Sequence, residues 1–287
     1  MAMESLSINS VWQDFSAPAK LNLFLHIVGR RPDGYHLLQS VFQLIDLSDT
    51  ISLRVNTSGE MRHHNPLPGV PAETDLTVRA ARLLKQATGC KLGVDIRLDK
   101  RLPMGGGVGG GSSDAATVML ALNRLWQLNL PRSKLMELGL TLGADVPFFI
   151  FGESAFVEGI GEIMTPVATP DTHFVILHPA VHVSTPQIFR DPSLTRNTPP
   201  ITVPLLSSAI TQNDLEAVAC KSHPKIAESI TWLSQYANAR MTGSGSCVFA
   251  SFSSPNEANS VIYDLPKNMT GFVARSLSKH PLHEFAE

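Results

Sequence analysis

Residues 19–28 read Ala-Lys-Leu-Asn-Leu-Phe-Leu-His-Ile-Val. Leu21, Leu23, Leu25 and Ile27 alternate with Lys20, Asn22, Phe24 and His26, and that period of two predicts a strand. Residues 29–34 read as a turn or loop, and residues 50–55 as a further strand. The polar stretch 56–73, with its Gly and Pro, reads as a loop, where His63 and His64 would be solvated. Leu76, Ala80, Leu83, Leu84 and Ala87 then share one face of a helix, with Asp75 as its N-cap and Gly89 ending it. Residues 92–98 alternate again, as a half-buried strand does. Ala116, Met119, Leu120 and Trp126 fall at helical spacing over 113–128, with capping oxygens on offer from Ser112, Ser113 and Asp114. A second helix is predicted over 132–142, an apolar stretch up to Phe151, and two short strands within 154–164.

From about residue 165 the pattern changes. Pro166 and Pro170 precede a buried-looking strand at 174–177. Thr185-Pro186 opens a helix with proline at its first position. The Pro- and Thr-rich residues 191–204 form a loop, followed by helices near 212–221 and 224–237. Strands at 239–242 and 247–252 flank Gly243-Ser244-Gly245-Ser246, and a helix at 256–264 and a strand at 271–275 complete the pattern. The first ten residues read as a loose tail. Hairpins mixed with helices predict an α+β fold rather than strict βαβ alternation, divided near 165 into residues 1–164 and 165–287.

Composition narrows the function. A chain of 287 residues with 43% hydrophobic and 17% charged residues is an ordinary globular protein, long enough for two domains. A net charge of -2 gives no general pull toward nucleic acid or an anionic membrane. Cys90, Cys220 and Cys247 are widely spaced with no C-x-x-C pair, which argues against a disulfide framework or a zinc site. No apolar run reaches the ~18 residues of a membrane span, and no leader pattern is visible, so the cytoplasm is the expected location.

Residues 103–114, Pro-Met-Gly-Gly-Gly-Val-Gly-Gly-Gly-Ser-Ser-Asp, carry the strongest chemical signal. Six glycines stand between positions 105 and 111, after a predicted strand and before a predicted helix. Backbone N–H groups without neighbouring Cβ atoms can close around an anion, and the helix start adds further donors. Lys100 and Arg101 stand just ahead and would add positive charge. A P-loop needs lysine after its last glycine, and here Ser112 follows Gly111. Gly105, Gly107 and Gly110 satisfy G-x-G-x-x-G, but Leu130-Pro131-Arg132 stands where a dinucleotide fold wants its acid. Polyphosphate binding remains, with a flexible linker as the bland alternative.

Other candidates are weaker taken singly. Asp145, in Leu-Gly-Ala-Asp-Val-Pro, either accepts or orients a hydroxyl proton or simply makes a turn. Lys20 either polarises a reacting group or is a solvated strand-edge lysine. Tyr35 and His36 either stack on and hydrogen-bond a planar base or pack on the surface. Residues 243–246 either make a tight turn or offer N–H donors to phosphate.

Taken together, Pro18-Ala19-Lys20-Leu21-Asn22, residues 103–113 and Met241-Thr242-Gly243-Ser244-Gly245-Ser246 resemble the three motifs of the GHMP kinases, the superfamily of galactokinase, homoserine kinase, mevalonate kinase and phosphomevalonate kinase. Residues 29–36, 142–147 and 157–162 are similar to one branch of it. That branch phosphorylates the 2-hydroxyl of 4-diphosphocytidyl-2-C-methyl-D-erythritol in non-mevalonate isoprenoid precursor biosynthesis. The resemblance runs in order from about Phe15 onward. It implies two domains, ribosomal-protein-S5-like and then ferredoxin-like, with ATP as co-substrate, Mg²⁺, and that small-molecule acceptor. No nucleic acid, membrane or obligate protein partner is implied. Asp145 would be the catalytic base and Lys20 its partner. Pro103, Met104, Gly105, Gly106, Gly107, Val108, Gly109, Gly110, Gly111, Ser112 and Ser113 would wrap the ATP phosphates. Tyr35 and Phe189 would sandwich the cytosine, His36 would read its edge, and Asn22 and Thr185 would hold the rest of the acceptor. The chain departs from the family at Asp75 and Asp114, both often asparagine, and has no carboxylate in the usual magnesium-ligating place, which leaves phosphate, water and Ser112 or Ser113.

Overall fold

A computed structural model of the chain describes residues 11–203 and 211–287. The predicted N-terminal tail, residues 1–10, lies outside the described residues. Strands β1 (Gln13–Arg30) and β2 (His36–Asn56) form one long antiparallel hairpin, closed by Arg30 opposite His36. Both run well past the alternating segments. Lys20, Asn22 and His26 are as buried as the leucines beside them, because β1 is covered on both faces. The pairing slips between Pro18 and Ala19, between Asn22 and Leu25, and between Ile27 and Gly29. Such bulges re-aim side chains and tolerate a proline that cannot donate to the ladder.

β2 also pairs with β4 (Gly93–Asp99), which takes β3 (Met61–His63) alongside it in parallel. The expected loop over 56–73 therefore contains a short strand. β5 (Ala155–Glu158) pairs with β2 and with β6 (Ile163–Pro166). On the far side of β2 come β10 (Gly271–Leu277), β7 (His173–Leu177), β9 (Val248–Phe252) and β8 (Ala239–Met241), giving the order β3-β4-β2-β10-β7-β9-β8.

Two cores sit against this sheet. The first packs α1 (Leu76–Thr88), α2 (Gly110–Leu125), α3 (Arg132–Leu140) and α4 (Val146–Phe151) against β1, β2, β4 and β5. α2 is its centre, with every residue from Ser113 to Asn123 buried. The second core gathers residues of β7, β8 and β9 with α5 (Thr185–Arg190), α6 (Glu216–Ser222), α7 (Pro224–Leu233) and α8 (Pro255–Tyr263). β1 lends Leu25 and Ile27 to this second core. In return Leu282 and Ala286 pack in the first. The Arg132 guanidinium fixes that return by donating to the carbonyls of Phe151 at 3.2 Å and Ala286 at 2.6 Å, and to those of Ile150 and His283.

α6 starts at Glu216 rather than near 212. Its expected first turn is drawn out to meet β1: Leu25 N–H donates to Gln212 O and Asp214 N–H donates to Leu25 O. The Asp214 carboxylate accepts from Ile27 N–H at 2.7 Å, so tertiary pairing overrides the local helical pattern there.

Candidate active site

The glycine loop joins β4 to α2 and lines an open cavity of about 480 Å³. Gly107 (φ +80°) and Gly109 (φ +76°) both stand in the left-handed region that favours glycine. At Gly109 a Cβ would also meet the Phe149 ring at 2.8 Å. α2 begins at Gly110 with Gly109 as its N-cap, and no side chain caps it. This is three residues earlier than its apolar spacing suggests. Ser112, Ser113 and Asp114 do not cap it, contrary to the sequence expectation: all three lie inside the helix, and Ser113 and Asp114 are engaged elsewhere. Ser113 Oγ donates to Pro18 O at 2.6 Å, and Asp114 faces Lys100 at 2.6 Å. The N–H groups of the first turn are thereby left to the cavity, where an anion finds both donors and the favourable end of the helix dipole. Ser112 lines the cavity, whereas Ser113 is fully buried behind it.

Lys20 enters from β1, whose backbone is stitched to the loop by Lys20 N–H donating to Val108 O at 3.0 Å. Its side chain is 4% exposed, which removes the solvated alternative. The ammonium donates to Asn22 Oδ1, lies 3.6 Å from Asp145 Oδ2, and sits 4.7 Å from the Phe42 ring centroid. Asp145 opens α4 and stays 34% exposed toward the cavity. Asn22 is buried with both amide ends engaged, its Nδ2 donating to Ser40 Oγ at 3.0 Å. It braces Lys20 and faces no open space.

The second glycine cluster packs on the back of the first. Cys247 N–H donates to Gly106 O at 3.0 Å, and Asn22 N–H donates to Thr242 Oγ1 at 2.8 Å. A Cβ on Gly245 would collide with the Gly107 backbone nitrogen. Of these residues, Ser244 reaches the cavity wall. Thr185 Oγ1, at the start of α5, lies 2.6 Å from Ser244 Oγ, which sets the start of α5 beside the cavity wall.

Outside the lining of this cavity, His36 stacks on Phe189 of α5, with centroids 4.9 Å apart and planes 29° from parallel. Tyr35 is 61% exposed and its ring is not stacked on Phe189. Sequence reasoning missed Arg196, whose Nε donates to His36 Nε2 at 3.2 Å. A lone arginine in a Pro- and Thr-rich loop carries no local signal. Burial first, then the charges of Arg196 and Arg30, hold the His36 imidazole below its usual pKa.

Two charged clusters flank the glycine loop. Asp75 caps α1 by accepting from Thr77 N–H at 2.8 Å, and His63 Nδ1 lies 3.5 Å from its other oxygen. His63 is not solvated: pairing of β3 with β4 buries the ring to 2% exposure, and that burial lowers its pKa against the pull of Asp75. Lys100 bridges the buried carboxylates of Asp49 and Asp114, at 2.6 Å each, so its charge is already matched within the protein. Burial pushes the Asp114 carboxyl up to about 7; Lys100 opposes the rise and Asp49 adds to it. A raised folded-state pKa gives stability that is complete below the unfolded value near 4 and lost as pH rises through about 7. Asp114→Asn is therefore expected to raise the thermal midpoint at pH 8, with the gain shrinking toward pH 5. Unfolding scans at the two pH values check this, and an equal shift at both would rule the titration out.

The comparisons with known proteins agree with this geometry. Residues 75–153 match the model "GHMP kinases N terminal domain" and residues 202–271 match "GHMP kinases C terminal". The chain belongs to the GHMP kinases, ATP-dependent enzymes with a two-domain fold of mixed helices and strands. It is 58% identical over 273 residues to a 4-diphosphocytidyl-2-C-methyl-D-erythritol kinase of Thiobacillus denitrificans, covering 95% of this chain and 98% of that one. A crystal structure of 4-(cytidine 5'-diphospho)-2C-methyl-D-erythritol kinase superposes with TM-score 0.81 at 34% identity, covering 92% of this chain and 99% of that one. A homoserine kinase from Cytophaga hutchinsonii shares the fold alone, with TM-score 0.69 at 17% identity over 98% of each chain.

Proposed function

We propose that the chain catalyses ATP-dependent phosphorylation of the 2-hydroxyl of 4-diphosphocytidyl-2-C-methyl-D-erythritol, releasing ADP for non-mevalonate isoprenoid precursor biosynthesis. The observation that carries the reading is the Lys20–Asp145 pair, 3.6 Å apart at the wall of the glycine-loop cavity. The acceptor follows from 58% identity across nearly the whole chain to a kinase of that name.

In this reading residues 103–112 cradle the ATP phosphates through backbone N–H groups and the start of α2. Asp145 faces the acceptor hydroxyl and takes its proton as the phosphoryl group arrives. Lys20, held by Asn22, keeps the Asp145 carboxylate oriented and places positive charge beside the transferring group. Tyr35, His36 and Phe189 hold the cytosine, and Thr185 lies between that end and the phosphates. Among the described residues no group of three or more His, Cys, Asp or Glu builds a metal cage. The donor set instead fits a magnesium ion carried in on the phosphates and completed by water and the Ser112 hydroxyl. Bound there, the ion would neutralise phosphate charge. We place the division between domains near residue 165, with residues 280–287 returning to the first. No helix among the described residues is long and apolar enough to cross a membrane, and we assign the protein to the cytoplasm, where ATP is at hand.

The test is ADP release by purified protein with Mg²⁺-ATP over the cytidine-diphospho alcohol, homoserine and mevalonate in turn. Turnover is expected with the first alone. Turnover with homoserine or mevalonate instead would reassign the acceptor. ATP binding without ADP release over any of them would make the chain a nucleotide sensor.

A further inference from the structure

We infer that Arg196 is a positioning residue that fixes the tautomer of His36, and that the proton so placed on Nδ1 selects cytosine over uracil. This rests on the cytidine acceptor proposed above. The first observation is the direction of the hydrogen bond. Arg196 Nε donates to His36 Nε2 at 3.2 Å, and a guanidinium has donors only. Nε2 must offer its lone pair, so the proton of the neutral ring resides on Nδ1.

The second observation is that neither partner is free to turn. Arg196 also donates through Nη1 to Leu194 O at 3.0 Å, and through Nη2 to Phe189 O at 3.0 Å and Asp191 O at 2.7 Å. The His36 ring plane is set by its stack on Phe189. One guanidinium thus ties the backbone of Phe189, whose ring would lie under the base, to the imidazole that would meet the base edge. Nδ1 makes no hydrogen bond among the described residues, and burial with the Arg196 and Arg30 charges disfavours a second proton on the ring.

The consequence is a choice between bases. Cytosine presents two acceptors in a row, O2 and N3, beside its amino group. Uracil carries a hydrogen on N3. An Nδ1–H donor aimed at N3 pairs with cytosine and confronts uracil with two facing donors. The opposite tautomer would present a lone pair and reverse the preference. Leaving a donor unpaired once the base covers it costs about 5- to 150-fold.

Two measurements test this. In ligand-free protein, ¹⁵N spectra of the imidazole show which nitrogen carries the proton. Nδ1–H is expected in the wild type, and a mixture or Nε2–H in Arg196→Met. A wild-type proton on Nε2 would overturn the inference whatever the substrate is. The second measurement is kcat/KM for the cytidine-diphospho alcohol against its uridine counterpart. We expect the wild type to favour cytidine by at least about 10-fold, and Arg196→Met to lose most of that preference through KM, with kcat and the KM for ATP little changed. Equal use of both bases by the wild type, or an unchanged ratio in the variant, would also overturn it. Should the variant not fold, the two wild-type results still decide. A protein that turns over neither base would fail the acceptor assignment instead, and the spectra would still report the tautomer.

Discussion

Asp145→Asn is expected to lower kcat at least about 10²-fold while leaving the Kd for ATP within about twofold, the low end for losing a general base. The substitution keeps the size of the side chain and its place at the start of α4. It removes the proposed acceptor for the hydroxyl proton and the charge that faces Lys20 at 3.6 Å. In the proposed function the phosphates are held by backbone N–H groups of residues 103–112, across the same cavity, so ATP affinity is expected to change little. Single-turnover kinetics with nucleotide titration separate the two quantities. Near-normal turnover would remove Asp145 from the chemistry, and a joint loss of binding and rate would point to damage of the fold.

Gly245→Ala is expected to weaken ATP binding at least about 10-fold and to lower the thermal midpoint, at a cost at the upper end of the ~1–3 kcal/mol typical of overpacking. Its φ is ordinary, so the effect comes from space alone. The added methyl would collide with the backbone of Gly106 and Gly107, which cannot rotate aside as a side chain can. The glycine loop at 105–111 would have to shift to admit it. Gly29→Ala is the control, because its Cβ would meet Leu37 Cδ1 at an ordinary 3.6 Å. Calorimetric titration with ATP and thermal scans on both variants check this. Wild-type affinity in Gly245→Ala would show that the two glycine segments do not form one wall.

Local features of the fold were legible wherever local chemistry decides them. α1 is bounded by Asp75 and Gly89, as the sequence suggests, because a cap acts within three residues. The early part of β2 escaped notice because Ser40, Gln43 and Asp49 are buried with their apolar neighbours, which erases the alternation. The start of α2 lies three residues before the apolar spacing predicts. Ser112-Ser113-Asp114 look like caps, yet in the proposed function a capping side chain would occupy the N–H groups that the phosphates need. The site was legible as separate motifs but not in its connections. Asp49 and Lys100 are 51 positions apart, and nothing near either announces the pair. Arg196 and His36 are 160 apart. Long-range partners of this kind are set by β-pairing and loop placement, which a single sequence does not display.

The exchange of residues between the two cores bears on how the protein comes into being at the ribosome. Leu282 and Ala286 belong to the first core, and Arg132 waits for carbonyls at His283 and Ala286. The first core, although most of it is synthesised first, cannot close until the segment that contains residues 282–286 has emerged. Leu25 and Ile27 meanwhile remain exposed until α6–α8 arrive to cover them. The nascent chain therefore presents unfinished apolar surface through most of its synthesis, and binding of ATP can reward folding only once that last segment is in place.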